Sequence, residues 1–193
     1  MQRLRTSALA LFAAVALAAC GKDSTGPKLA NGSFKAGSTG GVARSFSGDA
    51  IFGSDDTEEG SAFVIDMLGD AEFVILGRTN QTRPAAGTYA LADISGTTQP
   101  TADQFFGLAI FENAGSDTEL GFASTGGQLK ITTSTATRMV GTFTMTGVCT
   151  GCATNATDMN VELSGSFNAI SVDGTPALKA SYQLRRVRVL QGR

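Results

Sequence analysis

The stretch that decides the fold is GQLKITTSTATRMVGTFTMTG, residues 127–147, followed at 159–170 by MNVELSGSFNAI. Apolar and small polar residues alternate there with the two-residue period of an extended chain, so every second side chain turns toward a core. Gly141 and Gly165 interrupt the pattern where a strand bends or bulges. Phe143 and Phe167, each two residues further on, share a face with the neighbouring apolar positions.

Working outward, similar segments recur, each closed by Gly, Asn, Asp or Pro. In the first half they are VARSFSGDAIF (42–52), SAFVIDML (61–68), AEFVIL (71–76), GTYALA (87–92) and FFGLAIF (105–111). LGFAS (120–124) precedes the opening stretch, and LKASYQLRRVRVL (178–190) ends the series. SAFVIDML is nearly all apolar, which fits either a strand buried on both faces or a short helix. About ten strands at this spacing predict an all-β chain, an antiparallel sandwich or barrel. Composition agrees: 24 glycines, few strong helix formers, and 42% hydrophobic residues, enough to bury a core.

In the last segment, Tyr182, Leu184, Val187 and Val189 all face inward only if the strand changes phase, which a bulge near Arg185 and Arg186 provides. Those arginines and Arg188 keep an edge strand from pairing with other chains. The alternative is an anion site.

The amino terminus has a different character. Arg3 and Arg5 precede an unbroken apolar run at residues 8–19, too short for a bilayer-spanning helix, which needs about 20 residues. This is the pattern of a cleaved export leader. The run ends in LAAC, Leu17, Ala18, Ala19 and Cys20, which resembles the lipobox of bacterial lipoproteins. The resemblance implies a signal peptide at 1–19, a diacylglyceryl group on the Cys20 sulfur, and Cys20 as the mature amino terminus. A lipoprotein cysteine carries two or three acyl chains, enough for stable attachment to a membrane. Residues 20–33 then form a flexible tether, polar and punctuated by Gly26 and Pro27, and 34–193 form the β domain. Gly21 is not the Asp that retains lipoproteins in the inner membrane, so the expected location is the outer membrane, periplasmic or surface-exposed. The GTF and GSF strands, with RPAAGTYALAD at 83–93, resemble uncharacterised envelope lipoproteins, β-sandwich or barrel domains without an assigned activity. No catalytic residue comes with that resemblance.

Charge excludes one class of partner. The leader removes two of 15 basic residues and no acid, leaving 13 against 17 acidic residues, a net −4 that repels phosphate backbones; nucleic acid is not an expected partner. Histidine is absent, which removes the commonest general base and nitrogen metal ligand. No nucleophile elbow, S-x-x-K, dinucleotide fingerprint or Walker loop is present, so no catalytic residue and no cofactor are expected.

Two elements invite chemistry. Cys149 and Cys152 are the only thiols left once Cys20 is acylated, and in an oxidising envelope such a pair is read first as a disulfide. Free thiols, a redox dithiol or part of a metal site are the alternatives, though two thiolates fall short of a four-ligand zinc site. Asp55, Asp56, Glu58 and Glu59 in GSDDTEEGS form a calcium candidate that lacks the D-x-D-x-D-G spacing; a solvated hairpin tip is the plainer reading. The expected function is therefore a noncatalytic, membrane-anchored domain with a binding or structural role. A lipocalin-like carrier, with the 12 phenylalanines lining a cavity, is the alternative, and an enzyme of unknown type the third.

Overall fold

The computed structural model describes residues 29–57, 60–96, 99–112, 119–150, 152 and 159–173. Nine strands are formed among them: β1 (Ser33–Gly40), β2 (Arg44–Thr57), β3 (Gly60–Leu68), β4 (Glu72–Arg78), β5 (Gly87–Ala90), β6 (Phe106–Glu112), β7 (Glu119–Ser134), β8 (Arg138–Cys149) and β9 (Asn160–Ser171). Eight of them close into an antiparallel barrel in the ring order β1, β2, β3, β4, β6, β7, β8, β9, with β9 returning to β1. Of the two expected architectures, sandwich and barrel, the closed barrel is the one formed. It is an up-and-down meander with one excursion, residues 79–105, from which β5 adds to the second half of β7. Below the start of β1, β2 and β9 meet directly in a short parallel pairing, Ile51 with Ile170 and Phe52 with Ser171.

LGFAS and GQLKITT, separate in the sequence reading, belong to one long strand. β7 pairs β6 with its first half and β5 with its second, while β8 runs along its other edge throughout. The β7–β8 register slips between Ser124 and Gly126 and again between Ile131 and Thr133, leaving Thr125 and Thr132 as the extra residues of two bulges. SAFVIDML falls wholly within strand β3, and its Phe63, Ile65 and Met67 lie in the interior while Leu68 is buried in a cluster on the other face. Full burial, not helical periodicity, accounts for the apolar run.

The GTF and GSF strands interlock. The β8–β9 register sets Gly141 opposite Phe167 and Phe143 opposite Gly165, so each ring lies on the bare backbone of the other strand's glycine. A Cβ on Gly165 would stand 2.6 Å from Phe143 Cε1, and one on Gly141 would stand 2.7 Å from Phe167 Cζ. The glycines thus make room for rings; the second β7–β8 bulge begins beside Gly141, which pairs with Ile131. Interior rings continue edge to face from Phe34 to Phe46 (5.8 Å), Phe111 (5.8 Å) and Phe122 (5.7 Å between centroids), a geometry favoured by the ring quadrupoles. An eight-stranded barrel is wide enough for side chains to fill or for one small ligand. Here Phe34, Phe46, Phe111 and Phe122, in mutual contact, and the pair Phe52 and Phe63 occupy part of the described interior.

Candidate functional site

Both mouths of the barrel are capped by arginines standing over rings. At the end holding the β3–β4 turn, Arg44 Nη1 donates to Glu72 Oε1 at 3.0 Å and its guanidinium lies 5.7 Å from the Phe111 centroid. Beside them Glu112 and Glu119 are direct cross-strand partners. Desolvation first, and the Glu112 charge second, raise the Glu119 pKa above its ordinary 4.5. Cys149 ends β8 at this mouth, buried in the core, with Cys152 packed against it. Their Cα atoms are 5.9 Å apart, disulfide distance, and the Cys149 amide donates to Met159 O at 3.0 Å, so the pair pins the entrance to the β8–β9 loop.

At the opposite mouth the excursion 79–105 folds over the opening. Arg78, 6% exposed, donates to Thr82 O and stands 5.4 Å over the Phe105 ring. Tyr89 packs on that ring edge to face at 5.3 Å. Nearby, Asn168 ties the incoming chain to β9: its amide donates to Leu29 O (2.9 Å) and Asn31 Oδ1 (3.2 Å), and its Oδ1 accepts from Arg138 Nε (2.8 Å).

The outer wall of β2, β1, β9, β8 and β7 is the open surface. Register lines up one row across it: Ser47, Lys35, Ser166, Thr142, Lys130 and, on β5, Thr88. In the next row Gly37 lies between Ser45 and Ser164, and a Cβ there would meet nothing closer than Arg44 O at 3.7 Å, so the floor is low. Two shallow adjoining grooves follow these rows. The first is lined by small hydroxyls, Gln128, Lys35 and Lys130 together with Ala36, Phe46, Phe143 and Gly165, and by no acid; the second includes Arg44 and Glu162. Lys35 and Lys130 are three strand spacings apart, roughly 14 Å.

Other residues singled out by sequence are not brought together. Asp55 and Asp56 lie within β2, paired with Ala62 and Ser61, rather than in a loop; Glu58 and Glu59 lie outside the described residues. Among the described residues no group of three or more His, Cys, Asp or Glu is placed to hold a metal ion. Cys20 and the arginines at 185, 186 and 188 also lie outside. The polar wall escaped sequence reading because its signal, Ser and Thr at alternate positions, is that of any solvated sheet face; only the register reveals the two lysines on one row. No known family, curated protein or solved structure matches this chain.

Proposed function

We propose that this chain is an envelope lipoprotein, anchored through acylated Cys20, whose noncatalytic barrel binds a polar, anion-bearing polymer on its outer wall, an acidic polysaccharide being the ligand class that fits. The observation that carries this reading is the row holding Lys35 and Lys130 on either side of a hydroxyl floor, acid-free although the chain as a whole is acidic. Lysine ammonium groups meet carboxylates or sulfates spaced along a polymer, and serine and threonine hydroxyls exchange hydrogen bonds with sugar hydroxyls. A shallow, open groove suits an extended chain better than a compact small molecule.

The binding test uses the mature protein and polygalacturonate, with a neutral glucan as control. Retention should fall with added salt and should be lost in the Lys35→Gln, Lys130→Gln double variant. Gly37→Gln, which raises the groove floor without altering charge, should weaken it too. Equal retention of both polymers, or of the double variant, overturns the reading. The anchor is tested separately: mass spectrometry of the mature amino terminus should find acylated Cys20, and Cys20→Ser should release the protein from the membrane fraction. An acyl-free chain beginning at Met1 refutes the anchor.

A lipocalin-like carrier is the second reading, and the closed eight-stranded up-and-down barrel favours it. A ligand inside would have to separate rings that now touch. Native mass spectrometry decides: a bound small molecule carried through purification supports the carrier, and the bare polypeptide mass excludes it.

A further inference from the structure

The hydroxyl wall carries opposite charges on two banks. Beside the row that holds Lys35 and Lys130, register aligns Gly37, Ser164, Thr144 and Gln128 in an uncharged row whose floor is lowered by Gly37. On the row after that, Glu162 is the direct cross-strand partner of both Thr39 and Thr146, and all three are exposed. Lys35 pairs with Ser166, four residues along β9 from Glu162, so the acid stands about 13 Å from the lysine row across the uncharged lane. Among the described residues no ion pair involves Glu162; Arg44, which lines the same groove, is engaged with Glu72 and the Phe111 ring. Asp49 lies one row beyond the lysines and lines neither groove.

This pattern discriminates among acidic polymers. A chain with a carboxylate on every sugar brings some of them between the widely spaced lysines and some toward Glu162, where like charges repel. A chain with a carboxylate on every second sugar leaves neutral sugars in the lane, and their hydroxyls donate to the Glu162 carboxylate, which when ionised can only accept. Repulsion built against the wrong partner is as much a part of specificity as attraction to the right one. Resting on the reading of this wall as a polymer site, we infer that Glu162 sets the charge pattern of the ligand. The groove takes a polysaccharide in which acidic sugars alternate with neutral ones, its carboxylates on the lysine row and its neutral hydroxyls on Glu162. A uniform polyuronate still binds through the lysines, but less tightly.

The test measures dissociation constants of the mature protein for hyaluronan, with a carboxylate on every second sugar, and for polygalacturonate, with one on every sugar, at equal carboxylate concentration. Hyaluronan should bind about 5-fold more tightly, the size of effect expected of one exposed charge contact. Glu162→Gln should bring the two polymers within about 2-fold of each other, chiefly by tightening polygalacturonate, and added salt should narrow the gap in the parent. Asp49→Asn makes the same change in net charge outside the grooves and should leave the preference intact. Equal affinity of the parent for the two polymers, no narrowing in Glu162→Gln, or the same narrowing in Asp49→Asn overturns the inference and leaves the lysine row standing as a polymer site. Binding of neither polymer by the parent overturns the reading of the wall itself, and the inference with it.

Discussion

Replacing Gly165 by alanine tests the interlocked strands most directly. The added methyl would sit 2.6 Å from Phe143 Cε1, 2.8 Å from Lys35 O and 2.9 Å from Ala36 Cβ. None of the three yields easily: Phe143 is 2% exposed and held by the core, and Lys35 and Ala36 belong to the β1–β9 ladder. Overpacking a filled interior in this way costs about 1–3 kcal/mol. For a domain of this size each kcal/mol lowers the melting midpoint by about 2–4 °C, so a loss near the middle of that range, about 2 kcal/mol, gives a drop of about 4–8 °C. Gly37→Ala on the neighbouring strand is the matched control. Its Cβ meets only Arg44 O at 3.7 Å and Ser45 Oγ at 3.8 Å, ordinary contacts, so it should be neutral or gain up to about 1 kcal/mol by restricting the unfolded chain. Phe143→Ala alone should cost about 3–5 kcal/mol. Combined with Gly165→Ala, the methyl enters space the ring has left, and the double variant should lose less than the sum by about 1 kcal/mol. Urea unfolding followed by far-ultraviolet circular dichroism measures all four. If Gly165→Ala is as harmless as Gly37→Ala, or if the double variant is additive within about 0.5 kcal/mol, the ring-on-glycine account is wrong.

Three further outcomes follow from the mouths of the barrel. The Glu119 pKa is raised, so the unfolded chain ionises first and stability is lost as pH climbs through the ordinary 4.5 toward the folded value; Glu119→Gln should melt higher than the parent at about pH 7 and equally at about pH 4. The Cys149, Cys152 double serine variant should stay folded and lose about 2 kcal/mol, because so short a ring constrains little chain; a loss of cooperative unfolding would show that the pair does more than pin a loop. Asn168→Ala removes three side-chain hydrogen bonds from a residue 2% exposed and should cost about 1–3 kcal/mol, with amide exchange rising first at residues 29–33; uniform exchange across the barrel would refute its role as a clamp.

Alternation made most of the barrel legible in the sequence. β8 and β9 carry clean inward sets, Met139, Phe143 and Met145 on one and Val161, Leu163 and Phe167 on the other, and both strands formed where the pattern placed them. β1 was harder to see, since SFKAGSTG has a single large apolar residue, Phe34, and takes its place through pairing with β2 and β9 on both sides. β7 was split in the reading because STGG looks like a turn, whereas the structure uses Thr125 as a bulge and Gly127, at φ +132°, as the residue that keeps the strand running beside Thr144. The cysteine pair was read as a disulfide from its spacing together with an expected oxidising envelope, with free thiols, a redox dithiol and a metal site as alternatives, and the 5.9 Å between its Cα atoms fits the disulfide. Gly77 was not: its role is to receive the Phe106 ring, a cross-strand relation that no local pattern encodes.

The two outer walls explain why chemistry was so much harder to read than fold. On the β1–β9–β8 side, β8 alternates strictly and β9 alternates from Asn160 to Ser164, so the wall shows Thr and Ser beside Lys35, a composition that says little about which ligand it would meet. On the β3–β4 side, burial on both faces leaves β4 without an exposed residue, so the sequence there speaks only of packing. Among the described residues, the β1–β9–β8 wall is open and polar. Lys35 and Lys130 distinguish it from an ordinary solvated sheet only after the register β7–β8–β9–β1 has set them on one row, each flanked by hydroxyls. A slip of one residue in β1 would turn Lys35 into the barrel and Phe34 out of it, so the pairing that buries Phe34 is also what delivers one of the two cations to the groove.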